Sequence, residues 1–181
     1  RVNKDGLIES VAFGVPRLNY PLIDGVVQSC PALLLEPSRT NKITASEDAN
    51  GGGADRQQMS YNANVAISPD GSQTADEMIP NTASSSHFCL QYRDNDTNTS
   101  FDTTKQYTFS AFFKSNGQRY VQFVTFIATG GTDYVNFDIE DGVITSTGFD
   151  SSSINDYGNG WYRVSVTFTP VRNSSAGGND G

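Results

Sequence analysis

The chain has 181 residues, a one-domain length, and 36% hydrophobic with 11% aromatic residues supports a single modest core. A net charge of -8 at pH 7 and a pI near 4.4 exclude the basic footprint that displacing counterions from phosphates requires, so no nucleic-acid partner is expected. No charged region leads into an apolar run and no long apolar stretch occurs, so neither a signal peptide nor a membrane partner is read.

Residues 1–45 mix Pro16, Pro21, Pro31 and Pro37 with short apolar runs, which predicts an extended arm with brief strands. Three consecutive leucines, Leu33, Leu34 and Leu35, cannot all point inward from one short strand. They are expected to dock on the sandwich or on a neighbouring subunit, while Glu36 and Arg39 bond to nearby backbone or charge. Residues 46–58, centred on Gly51-Gly52-Gly53, read as a flexible surface loop. The division expected is therefore an anchoring arm over 1–45 and a sandwich over 46–181.

From about residue 87 onward the pattern has period two, which places alternate side chains on opposite faces of a sheet. In the stretch 107–114, Tyr107, Phe109, Ala111 and Phe113 share one face, with Thr108, Ser110 and Lys114 opposite. Residues 120–128 are apolar on both phases and predict a central strand covered on both sides. Over 134–140, Val135, Phe137 and Ile139 are expected inward and Asn136, Asp138 and Glu140 outward, with Asp141-Gly142 as a two-residue hairpin turn. Tyr162, Val164, Val166 and Phe168 form the inward phase of 161–170. No stretch has sustained helical periodicity, so the chain is read as an all-β sandwich. The polar run 173–181 has loop composition with no strand after it, and the polypeptide is expected to continue.

Chemistry-bearing residues are sparse. His87 is the single histidine, and Ser, Thr and Asp are too abundant for their company to indicate a triad, so it reads as a strand-edge histidine. Asp138 and Glu140 share a strand face as a glycosidase pair would, but the turn at Asp141-Gly142 ends the strand, and a solvated face is preferred. Asp94-Asn95-Asp96 lacks the Gly and distal Glu of a calcium loop and reads as a solvated turn. The N-glycosylation patterns at Asn95, Asn98 and Asn173 are expected by chance in so polar a chain. Cys30 and Cys89 could pair, but read more simply as two buried small apolar side chains. Tyr92, Tyr120, Tyr134, Tyr157 and Trp161 could stack on sugar rings, with Arg163 beside Trp161; packing is the preferred role for Trp161. No catalytic residue, metal ligand or cofactor is assigned.

An ordered set of segments carries a resemblance. It comprises Arg1 to Glu9, Val15 to Tyr20, Leu33-Leu34-Leu35-Glu36-Pro37-Ser38-Arg39-Thr40-Asn41, Ser46-Glu47-Asp48 and Ser68-Pro69-Asp70-Gly71 with Ala75-Asp76. Tyr107-Thr108-Phe109-Ser110 with Lys114, and Gly158-Asn159-Gly160-Trp161-Tyr162-Arg163-Val164, complete it. The set resembles a jelly-roll module, similar to carbohydrate-binding modules, of tailed-bacteriophage virion proteins. Where that family has aromatic residues after Ser-Glu-Asp, this chain has Ala49 and Asn50, which weakens a stacking role at that edge.

The resemblance implies a jelly-roll sandwich with an N-terminal arm, serving as a head fibre, decoration or tail appendage without enzymatic activity. It implies a homo-oligomer, most often a trimer, bound to other virion proteins, assembled in the host cytoplasm and carried on the extracellular particle. It leaves room for host-surface glycans and for a structural calcium without assigned ligands. The alternative is a carbohydrate-binding module of a secreted bacterial protein, and a jelly-roll glycosidase is a third reading.

Overall fold

In a computed structural model of the chain, every regular element among the described residues is a β-strand. The structure describes residues 1–36, 39–43, 46–48, 55–90, 102–125, 133–146 and 148–170. All strand pairs are antiparallel. Asp94, Asn95, Asp96, Asn98 and Asn173 lie outside the described residues, as does Tyr92.

The proline-punctuated start forms four two-residue strands: β1 (Leu18–Asn19), β2 (Leu22–Ile23), β3 (Val26–Val27) and β4 (Ala32–Leu33). β1 pairs with β4, and β2 with β3. The β2–β3 turn places Asp24 at φ 49° and Gly25 at φ 72°, the primed geometry that matches strand twist. Next come β5 (Asp55–Gln57), β6 (Met59–Ala66), β7 (Ala75–Pro80) and β8 (Phe88–Leu90), paired as β5 with β8 and β6 with β7. The loop expected over 46–58 therefore ends earlier, because Asp55–Gln57 finds a ladder partner.

The remaining strands are β9 (Tyr107–Lys114), β10 (Tyr120–Thr125), β11 (Asp133–Asp138), β12 (Val143–Ser146), β13 (Ser151–Asp156) and β14 (Trp161–Phe168). They form two three-stranded sheets, in the orders β10-β11-β12 and β13-β14-β9. Phe123, Val135, Phe137 and Ile139 from the first pack with Val164 and Val166 from the second in one core. Phe109, Ala111, Phe113, Ile154 and Tyr162 pack around it, so period-two alternation becomes two layers sharing an interior. Phe168 is also buried.

The chain divides into two compact units. One contains Arg1, residues 7–19 and the described part of 32–99; the other contains residues 2–6, 20–31 and the described part of 100–181. The proline-rich start thus contributes to both. Within the second unit, a Cβ on Gly25 would lie 2.9 Å from Asp156 Oδ1, and one on Gly158 would lie 3.0 Å from the Gly25 carbonyl oxygen. The β2–β3 hairpin sits tightly against the turn between β13 and β14.

Four expectations are corrected. β10 pairs only with β11 among the described strands and buries one phase, Val121 and Phe123; Tyr120, Gln122 and Val124 face out. β11 stops at Asp138, and the turn to β12 spans the four residues 139–142 because Asp138 pairs with Val143. Asp138, expected outward, is buried, since its carboxylate turns to satisfy backbone donors and a guanidinium. Cys30 is exposed in a bend rather than buried, while Cys89 on β8 is half-buried, and the two are not joined by a disulfide.

Candidate functional site

The strongest candidate surface is the face of sheet β10-β11-β12 turned away from the core. Because Val121 and Phe123 go inward, the strand period sends Tyr120, Gln122 and Val124 to the other side. The register sets Gln122 opposite Asn136 and Val124 opposite Tyr134. Asn136 lies opposite Ser146 on the third strand. Gln122 Nε2 donates to Asn136 Oδ1 at 2.7 Å, and Asn136 Nδ2 donates to Ser146 Oγ at 2.9 Å. An amide, amide and hydroxyl row therefore crosses all three strands.

Tyr120 and Tyr134 flank that row with 62% and 48% of their surface exposed. They are offset by four residues along the strands, about 13 Å at the usual rise. Among the described residues, none that lies between them on this face is formally charged. Such a surface offers two aromatic rings for stacking and a preset polar row for hydroxyl-bearing ligands.

One end of the face is fixed by Arg119. Its Nε donates to Asp138 Oδ2 at 2.8 Å, its Nη2 bonds to Asp141, and its guanidinium carbon lies 5.6 Å from the centroid of the Tyr120 ring. Asp138 Oδ1 accepts the backbone N–H groups of Glu140 and Asp141, each at 3.1 Å. The Arg119 bond, opposed by desolvation and helped by these N–H groups, holds the Asp138 carboxyl below its ordinary range. The same bond pushes the Arg119 guanidinium upward, so the pair stays charged. Glu140, by contrast, is exposed and accepts from Ser115 Oγ at 3.0 Å. The two acids expected on one face are thus a buried ion-pair member and a surface carboxylate, which is not the arrangement of two facing catalytic carboxyls.

The other proposed contacts lie elsewhere. Trp161 and Arg163 are half-buried on the outward phase of β14, in the second sheet, so they do not join Tyr120 and Tyr134. Arg163 Nη2 donates to Ser110 Oγ at 3.1 Å, and its cross-strand neighbour Phe112 meets Tyr157 edge-on at 5.0 Å. Hydroxyl pairs continue this face, Ser153 with Ser165 at 2.8 Å and Thr108 with Thr167 at 2.9 Å. Leu33 and Leu35 are 55% and 82% exposed, Leu34 is half-buried and Arg39 is exposed. Glu36 receives Arg17 Nη1 at 2.9 Å. His87 Nε2 lies 3.1 Å from the Asn81 carbonyl oxygen and 3.2 Å from Asn81 Oδ1. Among the described residues no group of three or more His, Cys, Asp or Glu side chains is placed to hold a metal ion.

Sequence reasoning named Tyr120 and Tyr134 but missed Gln122, Asn136 and Arg119. The outward phase of 134–140 did signal Asn136; nothing in spacing alone pairs it with Gln122, because that depends on register across the sheet. Comparison with protein-family models and with curated proteins gives no match for this chain.

Proposed function

We propose that the chain is a structural module of a bacteriophage virion, a head fibre, decoration or tail appendage, whose jelly roll presents a surface that adheres to neutral glycans. The observation that carries the adhesive part is the uncharged face with Tyr120 and Tyr134 on either side of the Gln122, Asn136 and Ser146 row. The virion assignment rests on the ordered motifs from Arg1 to Val164. The jelly-roll assignment is supported by β14 returning to lie beside β9 after the chain has passed through the other sheet. The exposed Leu33 and Leu35 suit contact with neighbouring subunits or other virion proteins, and the module is read as a homo-oligomer, with a trimer the favoured state.

Two measurements test the proposal. Mass spectrometry of purified phage particles should find this chain in the virion, and its absence there, together with a secreted bacterial source, would leave the carbohydrate-binding-module alternative. Affinity electrophoresis of the purified chain against neutral polysaccharides should show retardation. Tyr120→Ala and Tyr134→Ala should each weaken it by about tenfold, equivalent to ~1.4 kcal/mol. Retardation that survives both substitutions places any sugar contact elsewhere, and no retardation by any glycan tried removes the adhesive reading.

A further inference from the structure

We propose that Asn116–Gly117, in the segment that crosses from β9 to β10, is a site of spontaneous backbone modification, while the chemically alike Asn159–Gly160 pair is held inert by its hairpin. An Asn followed by Gly is open to attack by the next backbone nitrogen, because no side chain on the following residue obstructs it. The Gly117 nitrogen, having lost its proton to hydroxide, bonds to Cγ of Asn116. The bond from Cγ to the side-chain nitrogen breaks, and that nitrogen leaves as ammonia with a proton from water. One water then opens the succinimide ring at either carbonyl, giving aspartate or isoaspartate. Overall, one water is consumed and one ammonia released, with no oxidant or reductant.

What separates the two pairs is the backbone that ring closure must move. Asn159 and Gly160 sit at φ 53° and 78°, the two central positions of the β13–β14 turn. The turn is closed by Trp161 N–H donating to the Gly158 carbonyl at 2.9 Å and by Tyr157 N–H donating to the Trp161 carbonyl at 2.8 Å. It is anchored by the six-residue register of β13 with β14. A Cβ on Gly158 would already crowd the Gly25 carbonyl oxygen at 3.0 Å, so this turn has little room to rearrange. Forming the ring at Asn159 therefore requires opening a hydrogen-bonded hairpin end first.

Asn116 and Gly117 are both exposed, in a bend between two strands that belong to different sheets. Gly117 has φ 89°, and an added Cβ there would meet nothing within 4 Å, so the space beside Gly117 is open. Modification adds a negative charge to this crossing. The isoaspartate product also adds a methylene to the main chain that ties one sheet to the other.

The test incubates the full chain at mildly alkaline pH, folded and in parallel unfolded in urea, and follows both peptides by mass spectrometry and isoaspartyl methyltransferase labelling. In urea both pairs should convert at comparable rates. In the folded chain Asn116 should convert at least about tenfold faster than Asn159, the ratio expected if hairpin opening costs ~1.4 kcal/mol or more. Asn116→Gln should remove the fast signal from its own peptide, which mass spectrometry separates from any signal of the third such pair in the sequence, Asn50–Gly51. Equal conversion at the two sites in the folded chain, or protection of Asn116 as complete as that of Asn159, would overturn the proposal.

Discussion

The two units keep their apolar residues in opposite ways. In the second unit Val135, Phe137 and Val164 are fully enclosed between two sheets. In the first unit no described side chain is fully buried; Leu18, Leu33 and Val65 stay exposed on two-stranded ladders, and Phe13, Val15, Leu35 and Ile67 stay exposed outside the strands. Two-stranded ribbons are marginal alone, because one ladder cannot shield both faces. The contrast teaches where stability resides: the sandwich carries the hydrophobic term, and the first unit is ordered mainly by hydrogen bonds such as Asn62 Nδ2 to Glu77 Oε2 at 2.9 Å and the Ser68, Ser72 and Asp70 cluster.

The sharpest way to break this contrast is to cut a side chain from each unit. Phe137→Ala should cost about 3–5 kcal/mol of unfolding free energy. Leu35→Ala, at a site 82% exposed, should move it by no more than ~0.5 kcal/mol. Chemical denaturation of the two variants decides it, and similar losses would mean that the first unit's leucines are covered after all.

A smaller effect comes from adding one methyl group at a glycine in each unit. Gly142 has φ 66°, and a Cβ there would lie 2.7 Å from Tyr162 Cε1, a ring packed against the core. Gly142→Ala should cost about 2–3 kcal/mol, backbone strain plus a displaced ring. Gly71, at φ 87°, would press on the tip of the partly exposed Leu7 at 3.0 Å, which can swing away. Gly71→Ala should cost about 1 kcal/mol, the backbone part alone. Thermal melts of both variants give the comparison.

The smallest expected difference appears in acid. Asp138 in the second unit is held below its ordinary pKa of 3.8, first by Arg119, and Asp70 in the first unit by the Ser68 and then the Ser72 hydroxyls. A depressed carboxyl stabilises the fold above its unfolded value and loses that contribution as pH falls through its folded value, so both act below about pH 4. Asp102, brought to about 2 chiefly by the Thr104 hydroxyl, extends the window downward. Asp138→Asn should flatten the fall of melting temperature across this range. Asp70→Asn should change only local hydrogen exchange over 68–74, and a global shift from it would contradict the division of stability.

The core was legible because Val135, Phe137, Val164 and Val166 alternate with polar residues, and a two-layer β interior needs little more than that. The β6–β7 ribbon was missed although Met59, Tyr61, Ala63 and Val65 alternate with Ser60, Asn62 and Asn64; that alternation builds no core, because Ala63 and Val65 stay exposed where the register shifts after Asn62. Asp138 was misplaced for a related reason: alternation reports where Cα points, whereas its carboxylate follows Arg119 and the N–H groups of the next turn. The exposed tyrosines were visible as candidates, but their shared face follows from a register that no single strand encodes.

The pairing of β9 with β14 joins residues made far apart in time. Ser110 and Arg163, which bond across this pair, are separated by 53 residues. At ordinary translation rates, roughly 3–10 s pass after β9 is synthesised before its partner exists. Through that interval the row of unpaired N–H and C=O groups along Tyr107–Lys114 is open to strands of neighbouring nascent chains. Yield of native protein should thus depend on ribosome spacing along the message, with slower initiation favouring β14 over a stranger.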